Sequence, residues 1–326
     1  MLQYVIHSIR FSHQAPRTMD ILFFADEPNA HVWQRALQKE LPEAQVRAWV
    51  RGEAHSADYA VCWKPPAEFF MGQTRLKAIF NLGAGVDSIV HAPGVPGDVT
   101  MIRVDDAGMA AQMEEYVAWC ALHFCRRFDE YGREQAATRW TKFPARARSA
   151  FPVGVMGLGV LGGRVAAYLA GMGFPVSGWS RTAKTIDGVQ CIAGDSALPA
   201  FLGRVSMLVC MLPLTDATRG ILNRANLSRL PAGAYVVNVA RGEHMIEADL
   251  LRLLDSGHLA GAALDVFAPE PLPPGSPLWR HSRVIVTPHI SARTLMEESM
   301  RQIAGKIRAL ERGEVVAGVV DRARGY

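Results

Sequence analysis

Three ionisable side chains follow three successive apolar runs in the C-terminal half of the 326-residue sequence. Arg241 comes after a run of Val and Ala, Glu270 shortly after an Asp-Val-Phe segment, and His289 after Val-Thr-Pro. Short apolar runs bounded by turn residues predict buried strands, and ligands of open α/β sheets bind outside the carboxyl ends of such strands. A lone histidine at a strand end is more often structural, but three ionisable groups at one edge favour a catalytic site.

Each of these side chains suits one part of a carbonyl reduction. Arg241 offers a planar fork of donors that fits a carboxylate and can polarise the adjacent carbonyl, although it could instead form a surface salt bridge. His289, as an imidazolium, can hydrogen-bond a ketone oxygen and supply a proton while a nicotinamide delivers hydride. Glu270 would orient the imidazole ring and favour its charged form. We predict these three as the catalytic residues.

A glycine-rich motif lies between an apolar run and a helical pattern. Gly157, Gly159 and Gly162 form G-x-G-x-x-G after residues 153–156, and apolar residues then recur four apart until Gly173. Strand, tight turn and helix in this order cradle a dinucleotide pyrophosphate at the helix N-terminus. The motif alone could be a turn without a ligand, but its flanks favour nucleotide binding. The predicted cofactor contacts here are Gly157, Leu158, Gly159, Val160, Leu161 and Gly162.

The sequence after the next strand favours NADPH over NADH. NAD-binding versions of this fold place an Asp or Glu about 20 residues after the glycines, where it binds the ribose hydroxyls. Ser180 occupies that position, and the first carboxylate comes only at Asp187. Arg181 and Lys184 follow Ser180 and offer cations to a 2′-phosphate, unless they are merely solvated loop residues. Ser180, Arg181 and Lys184 are therefore predicted NADPH contacts.

The N-terminal half contains a second candidate anion site. Gly83, Ala84 and Gly85 end an apolar run, and small residues allow successive backbone N–H groups to converge on an anion. We predict that the amides of Ala84 and Gly85 bind the substrate carboxylate opposite Arg241, although an ordinary turn would fit the same residues. Trp63 ends another apolar run and could limit the substrate side chain, or it could be a core residue.

Alternating strand and helix patterns predict an α/β protein built from two units. Expected strands of the first unit lie at 21–25, 46–49, 59–63, 76–82 and 101–104, and those of the second at 153–156, 176–179, 205–212, 235–240, 262–267 and 284–287. Six strands with helices between them make a full doubly wound domain. We therefore expect two parallel α/β units, of which the second is a full Rossmann-like doubly wound domain.

Two helical patterns fix the expected domain boundaries. The helical pattern at 113–128 is too long for one lobe and is expected to bridge lobes or subunits. A final helix at 296–310 is expected to stop at Gly313 and to return to the first lobe. The N-terminal lobe would then be discontinuous. We predict a substrate-binding (catalytic) domain at 19–107 and 292–326, a dinucleotide-binding domain at 108–291, and an extension outside the fold at 1–18.

Composition argues against several classes of partner. The net charge of +4 is spread through the chain without a basic block, so nucleic acid is not expected. Five scattered cysteines with no ligand spacing indicate neither a disulfide framework nor a metal site, and they suggest a cytoplasmic protein. No apolar stretch reaches the length of a membrane span, so a membrane partner is not expected either.

The chain from Met19 to Tyr326 resembles the D-isomer-specific 2-hydroxyacid dehydrogenases, and within them the bacterial glyoxylate/hydroxypyruvate reductase A group. The resemblance is carried by residues 83–87, 212–215, 241–242, 265–271, 288–290 and 320–326. It implies two lobes with a cleft, a homodimer through the nucleotide domains, and reduction of a 2-oxoacid by a nicotinamide. It also implies cofactor contacts at Leu212, Pro213, Ala240 and Asp265, with Asp265 facing the nicotinamide carboxamide.

Taken together, these features predict an enzyme that uses NADPH to reduce glyoxylate to glycolate and hydroxypyruvate to D-glycerate, with His289 as proton donor. One alternative is an NAD-dependent dehydrogenase of another D-2-hydroxyacid, such as 3-phosphoglycerate, although no additional C-terminal regulatory domain is expected here. A second alternative is a nucleotide-sensing scaffold or corepressor on the same fold, which fold alone does not exclude. The complete set of Arg241, Glu270 and His289 favours the enzyme.

Overall fold

Two parallel β-sheets organise the protein in the computed structural model, which describes residues 18–53, 56–90 and 92–325. The predicted extension at 1–18 lies outside the described residues except for Thr18, and so does the C-terminal Tyr326. Among the residues described, no helix is both long and apolar enough to cross a membrane.

The first sheet contains five parallel strands in the order β2-β1-β3-β4-β5. Its strands are β1 Met19–Ala25, β2 Ala44–Ala48, β3 Tyr59–Trp63, β4 Ala78–Asn81 and β5 Thr100–Arg103, with helices α1 Ala30–Glu40 and α2 Asp87–Val90. Strands β3 and β4 are buried along almost their whole length, which is typical of parallel sheets covered on both faces. The parallel order brings the carboxyl ends of β3 and β4 to one edge, where Trp63 and the glycine loop lie.

The second sheet contains seven parallel strands in the order β12-β11-β10-β9-β6-β7-β8. Its strands are β6 Val153–Met156, β7 Val176–Ser180, β8 Val189–Ala193, β9 Met207–Cys210, β10 Ala234–Asn238, β11 Leu259–Leu264 and β12 Val284–Val286. The strand order reverses between β6 and β9, and the glycine motif directly follows β6 at this switch point. The α/β class with two parallel sheets is therefore confirmed.

The count of six strands in the second unit was wrong by one. Among the described residues, strand β8 lies at the edge of the sheet and pairs with β7 alone, and its residues are partly buried or exposed. Its composition, with Gln190 at the second position, lacks the continuous apolar run that marked the buried strands. Helices α5 Val160–Gly171, α6 Leu198–Leu202, α7 Arg224–Leu227 and α8 Glu247–Asp255 connect the strands of this sheet.

The single long helix expected over 113–128 is instead two helices, α3 Met109–Cys125 and α4 Phe128–Ala136. Arg127 separates them with a left-handed backbone at φ 60°, so Phe128 begins a new helix. Helix α3 packs against α5 and carries buried residues such as Val117 and Phe124 into the core of the second sheet.

The final helix, α9 Met296–Glu311, returns to the first sheet as expected. Met300, Ile303 and Ile307 are buried in the core of that sheet, and the helix packs against α1. Gly313 follows its end at φ 74°, where glycine is favoured. The exact domain boundaries stay a prediction.

Candidate active site

Arg241 is held at the carboxyl edge of β10 by a buried asparagine. Asn238 ends the strand, and its Nδ2 donates to the carbonyl of Arg241 at 2.9 Å while its Oδ1 accepts from the Ala240 N–H at 3.2 Å. The residue after Arg241 must be glycine, because a Cβ on Gly242 would overlap the backbone of Phe267. The Arg241 loop therefore packs directly on the segment that leads to Glu270.

The guanidinium of Arg241 reaches across to the first sheet. Its Nε donates to Oδ1 of Asp87 at 3.1 Å, its Nη2 lies 2.9 Å from the same oxygen, and its Nη1 donates to the Ala240 carbonyl at 2.7 Å. Burial alone would raise the pKa of Asp87, but the charge of Arg241 and the hydrogen bonds from it hold that pKa below its ordinary value. Asp87 is therefore an anion at neutral pH.

The glycine loop after β4 lies against Arg241. A Cβ on Gly85 would overlap Nη2 of Arg241, so a larger residue there would displace the guanidinium from its present position. Buried Asn81 shapes this loop by donating from Nδ2 to the carbonyls of Gly83 at 2.8 Å and Gly85 at 2.7 Å. The structure thus brings the predicted anion loop and Arg241 together.

Trp63, at the end of β3, lies beside the same loop. A Cβ added to Gly83 would come within 2.6 Å of the Trp63 ring, so the indole packs directly over that glycine. The side chain is partly buried rather than enclosed in the core. Trp63, Gly85 and Arg241 consequently surround one region of the surface.

His289 and Glu270 form a hydrogen-bonded pair. Nδ1 of His289 lies 2.8 Å from Oε2 of Glu270, and the other carboxylate oxygen accepts from the Phe267 N–H at 3.0 Å. The His289 side chain is 45% exposed, which leaves it accessible to a ligand. An imidazole oriented by a carboxylate at one nitrogen can donate a proton from the other.

The loop that carries His289 is fixed by Asp265, which is fully buried. Its backbone carbonyl accepts from the His289 N–H at 2.8 Å. Its side-chain Oδ1 accepts from the Ile290 N–H at 2.8 Å and from the Thr287 hydroxyl at 2.6 Å, and Oδ2 accepts from the Ser291 N–H at 2.8 Å. These bonds hold His289 at φ 54°, a left-handed conformation that costs about 1–3 kcal/mol.

A tyrosine on α3 extends this hydrogen-bond network. The hydroxyl of Tyr116 lies 2.7 Å from that of Thr287, and because Thr287 donates to Asp265, Tyr116 must donate to Thr287. Burial raises the pKa of Tyr116, which keeps it a donor. Asp265 thus uses three of its roughly four acceptor positions inside the protein, and its predicted contact with the nicotinamide stays a prediction.

The turn between β6 and α5 has the form expected of a pyrophosphate cradle. Gly157 has φ 101°, and a Cβ there would meet the Met211 carbonyl at 2.6 Å, while a Cβ on Gly162 would strike the Gly157 carbonyl. By contrast, a Cβ on Gly159 would meet no atom of the described residues within 4 Å. The turn is closed by protein on two sides and open where a phosphate would approach the helix N-terminus.

The other predicted cofactor residues lie around this turn or at neighbouring strand ends. Leu158 is buried against Gly178, Val160 is exposed, and Leu161 packs against the core of the first sheet. Leu212 and Pro213 follow β9, and buried Ala240 follows β10.

The chain after β7 exposes two cations. Ser180, the last residue of the strand, is buried and donates from its hydroxyl to the Thr182 carbonyl at 2.8 Å. This bond turns the chain outward, and both Arg181 and Lys184 are exposed. The loop therefore presents positive charge at the end of the strand next to the glycine turn.

Several residues of the site were not predicted from the sequence. Asn81 and Asn238 each end a buried strand and brace the loop that follows, and a polar residue closing an apolar run is the signal that could have found them. Thr287, which joins Asp265 to Tyr116 by hydrogen bonds, has a side chain whose role no sequence pattern indicates. Tyr116 matched the spacing of a helix core, and Asp87 belongs to a motif in which it received no role.

A glycine cradle at a sheet switch point, with an arginine and an acid–imidazole pair at neighbouring strand ends, defines a nicotinamide-dependent oxidoreductase. Residues 118–291 match the profile of the D-isomer specific 2-hydroxyacid dehydrogenase, NAD binding domain. The chain belongs to this family and is an oxidoreductase acting on CH–OH groups, as its sequence predicted.

Three solved structures are similar over nearly the whole chain. A D-isomer specific 2-hydroxyacid dehydrogenase from Xanthobacter autotrophicus Py2, in complex with NADPH and MES, is 42% identical with a TM-score of 0.90, covering 95% of this chain and 100% of that one. The NADPH-dependent glyoxylate/hydroxypyruvate reductase of Sinorhizobium meliloti, with NADP and sulfate, is 36% identical with a TM-score of 0.89, covering 94% and 100%. A probable 2-hydroxyacid dehydrogenase from Rhizobium etli CFN 42, with NADP, HEPES and L(+)-tartaric acid, is 35% identical with a TM-score of 0.88, covering 94% and 100%.

Proposed function

We propose that this protein uses NADPH to reduce glyoxylate to glycolate and hydroxypyruvate to D-glycerate. The observation that carries the proposal is the meeting of the Arg241 guanidinium with the Gly85 loop, next to the segment that holds the His289–Glu270 pair. Similarity to the Sinorhizobium meliloti reductase, at 36% identity, supports this choice of substrates.

The substrate carboxylate binds between the two sheets. Arg241 donates from its guanidinium, and the backbone amides of Ala84 and Gly85 donate from the opposite side. The same guanidinium polarises the adjacent carbonyl, which favours negative charge on its oxygen in the transition state. Trp63 closes the pocket beside Gly83 and favours substrates with a small side chain.

His289 completes the reaction as general acid. The imidazolium donates its Nε2 proton to the carbonyl oxygen, and Glu270 stabilises the charged ring through the 2.8 Å contact at Nδ1. Bound NADPH supplies the hydride to the carbonyl carbon. The product is the 2-hydroxyacid, and His289 is left neutral until it takes a proton from solvent.

The preference for NADPH rests on the loop after β7. Exposed Arg181 and Lys184 offer charge-assisted hydrogen bonds to a 2′-phosphate, each worth about 1.5–3 kcal/mol. Ser180 stands where an NAD-specific enzyme carries a carboxylate, which would repel that phosphate. The glycine turn suits a pyrophosphate, because a Cβ at Gly159 would meet no atom of the described residues within 4 Å and the backbone there is open to a ligand.

The cofactor assignment is tested by comparing kcat/KM for NADPH and NADH. The wild type is expected to prefer NADPH, the Arg181→Ala variant to lose about ten- to a hundredfold of that preference, and Ser180→Asp to lose more or to reverse it. Arg204→Ala, which removes an exposed arginine elsewhere in the same lobe, should leave the preference unchanged. An equal or NADH-favouring wild type would overturn the assignment.

Substrate choice is tested with a panel of glyoxylate, hydroxypyruvate, pyruvate and 3-phosphohydroxypyruvate. Reduction of the first two with the highest kcat/KM supports the proposal. A preference for the phosphorylated acid with NADH would favour the alternative dehydrogenase, and cofactor binding without turnover of any 2-oxoacid would favour a nucleotide-sensing scaffold.

The proposal includes a cytoplasmic homodimer. All five cysteines are free thiols, which suits a reducing compartment. Trp119, Phe128 and Trp140 expose large apolar surfaces on α3, on α4 and in the loop that follows, and a second copy of the chain would cover them. Neither nucleic acid nor a membrane is proposed as a partner.

A further inference from the structure

We propose that Asp87 is a positioning residue that holds the Arg241 guanidinium in place for the substrate carboxylate. Asp87 begins the short helix α2, directly after the glycine loop that follows β4. Its Oδ1 accepts from Nε of Arg241 at 3.1 Å and lies 2.9 Å from Nη2. The inference rests on the proposed function, in which Arg241 is the carboxylate ligand.

Some N–H donors of the Arg241 guanidinium contact the protein, and others remain for a substrate. A guanidinium has five N–H donors. Asp87 accepts from Nε and lies 2.9 Å from Nη2, and the Ala240 carbonyl accepts from Nη1. Among the described residues these contacts leave at least one N–H on each of Nη1 and Nη2, and a carboxylate can accept from both of these nitrogens. Turning the guanidinium to present another edge would break both contacts with Asp87.

The same ion pair sets the width of the carboxylate pocket. Asp87 follows a strand of the first sheet and Arg241 follows a strand of the second, so their bond spans the space between the sheets. Gly85 already touches Nη2 and leaves no room for a Cβ. By fixing the guanidinium against this loop, Asp87 also fixes its distance from the amide groups of Ala84 and Gly85.

A carboxylate beside Arg241 could act in a second way, as an internal competitor that the substrate must displace. The two roles predict opposite effects of removing it. Loss of a competitor would tighten binding of a 2-oxoacid, whereas loss of a positioning group would weaken it. The N–H donors that remain on Nη1 and Nη2 favour the positioning role, because the substrate can accept from them without displacing Asp87.

The test uses oxamate, an isostere of a 2-oxoacid that hydride does not reduce. Calorimetry of the enzyme–NADPH complex gives its Kd for the wild type and for Asp87→Ala, Asp87→Asn, Arg241→Ala and the Asp87→Ala/Arg241→Ala double variant. Asp87→Ala should weaken oxamate about tenfold, and Asp87→Asn should recover most of the loss because its amide oxygen still accepts. In the Arg241→Ala background the Asp87 change should add little, since Asp87 acts through Arg241.

Steady-state kinetics provide the second readout. Asp87→Ala should raise KM for glyoxylate more than it lowers kcat, while KM for NADPH stays constant. Asp20→Ala is the matched control, because it removes a carboxylate paired with Arg47 in the same sheet, near the end opposite the glycine loop. That variant should bind oxamate like the wild type.

Each remaining outcome decides a different question. Unchanged or tighter oxamate binding in Asp87→Ala overturns the positioning role. Wild-type affinity in Arg241→Ala, or a wild type that binds no oxamate, overturns the proposed function itself. If Asp87→Ala does not fold, Asp87→Glu replaces it, since one added methylene keeps the charge and displaces the anchoring oxygen. Undiminished oxamate binding by Asp87→Glu would then contradict the inference.

Discussion

His289 depends on two sets of contacts that serve different purposes. The carboxylate of Glu270 contacts its ring, and the buried Asp265 holds its backbone. The first set contacts the ring through Nδ1, and the second fixes the backbone that carries the ring. A change in Glu270 should therefore alter the pH dependence of catalysis, whereas a change around Asp265 should alter catalysis at every pH.

We expect Glu270→Gln to move the pH profile of reduction to lower pH. Reduction needs the imidazolium as proton donor, so activity falls as pH rises and the ring loses its proton. A neutral amide at 2.8 Å stabilises that charge less than a carboxylate does, so the loss should begin at lower pH. The measurement is kcat/KM for glyoxylate across the pH range, with Glu247→Gln, on helix α8 of the same lobe, as the control. A profile that does not move would contradict the pairing.

Among single residues, sequence reasoning predicted those whose side-chain type itself indicates a chemical role. Arg241, Glu270 and His289 are ionisable residues that follow strand ends, and the structure places them on adjoining loops. Their supports were not predicted, because Asn81 and Asn238 act through hydrogen bonds to main-chain carbonyls that depend on the exact path of the loops. Sequence spacing does not specify such paths.

Among the elements, the loop after β12 has the most demanding geometry. It must carry His289 in a left-handed conformation, and its bonds come from β11 through Asp265 and from α3 through Tyr116. Thr287 connects the two supports, because it donates to one and accepts from the other. The loop is therefore held by hydrogen bonds from the end of β11 and from α3.

We predict that Thr287→Val lowers kcat about tenfold with little change in KM for NADPH. The substitution keeps the shape of the side chain but removes two hydrogen bonds. The bond donated to the Asp265 carboxylate is worth about 1.5–3 kcal/mol and the one accepted from Tyr116 about 0.5–1.5 kcal/mol. Thermal unfolding should show a fall in Tm of a few degrees. Thr100→Val, at the exposed start of β5, is the control. Wild-type kcat and Tm in Thr287→Val would show that the loop does not need this support.

The elements that sequence patterns missed share a physical cause. Strand β8 lies at a sheet edge and buries little apolar surface, so the periodicity that marks buried strands is absent. The break between α3 and α4 occurs at Arg127, a residue type with no special turn preference, so the apolar spacing continues across it. Apolar periodicity indicates which residues are buried. It indicates neither the edge position of β8 nor the left-handed backbone at Arg127.

At the scale of the molecule, the exposed aromatic side chains are a candidate interface. Trp140 is 95% exposed and precedes a loop rich in arginine, while Trp119 and Phe128 expose about half of their surfaces nearby. Apolar patches of this kind mark protein interfaces. We expect helix α3 and the loop from Trp140 to Phe143 to contribute to a homodimer.

Light scattering tests the dimer at micromolar concentration. The expected mass is twice the chain mass of 35.7 kDa, and Trp140→Ser should shift the equilibrium toward the monomer. Trp279→Ser removes a half-exposed tryptophan elsewhere on the surface and should leave the mass unchanged. A wild-type mass near 35.7 kDa would contradict the predicted homodimer.

The most direct test of the proposed reaction is the rate of NADPH oxidation with glyoxylate in the wild type, His289→Ala and Arg241→Ala. The wild type should turn over, and His289→Ala should lose about 10²- to 10⁴-fold in kcat because it lacks the proton donor. Arg241→Ala should lose kcat and also raise KM, since it removes both carbonyl polarisation and the carboxylate ligand. Near-normal kcat/KM in both variants, or a wild type inert toward glyoxylate and hydroxypyruvate, would contradict the account.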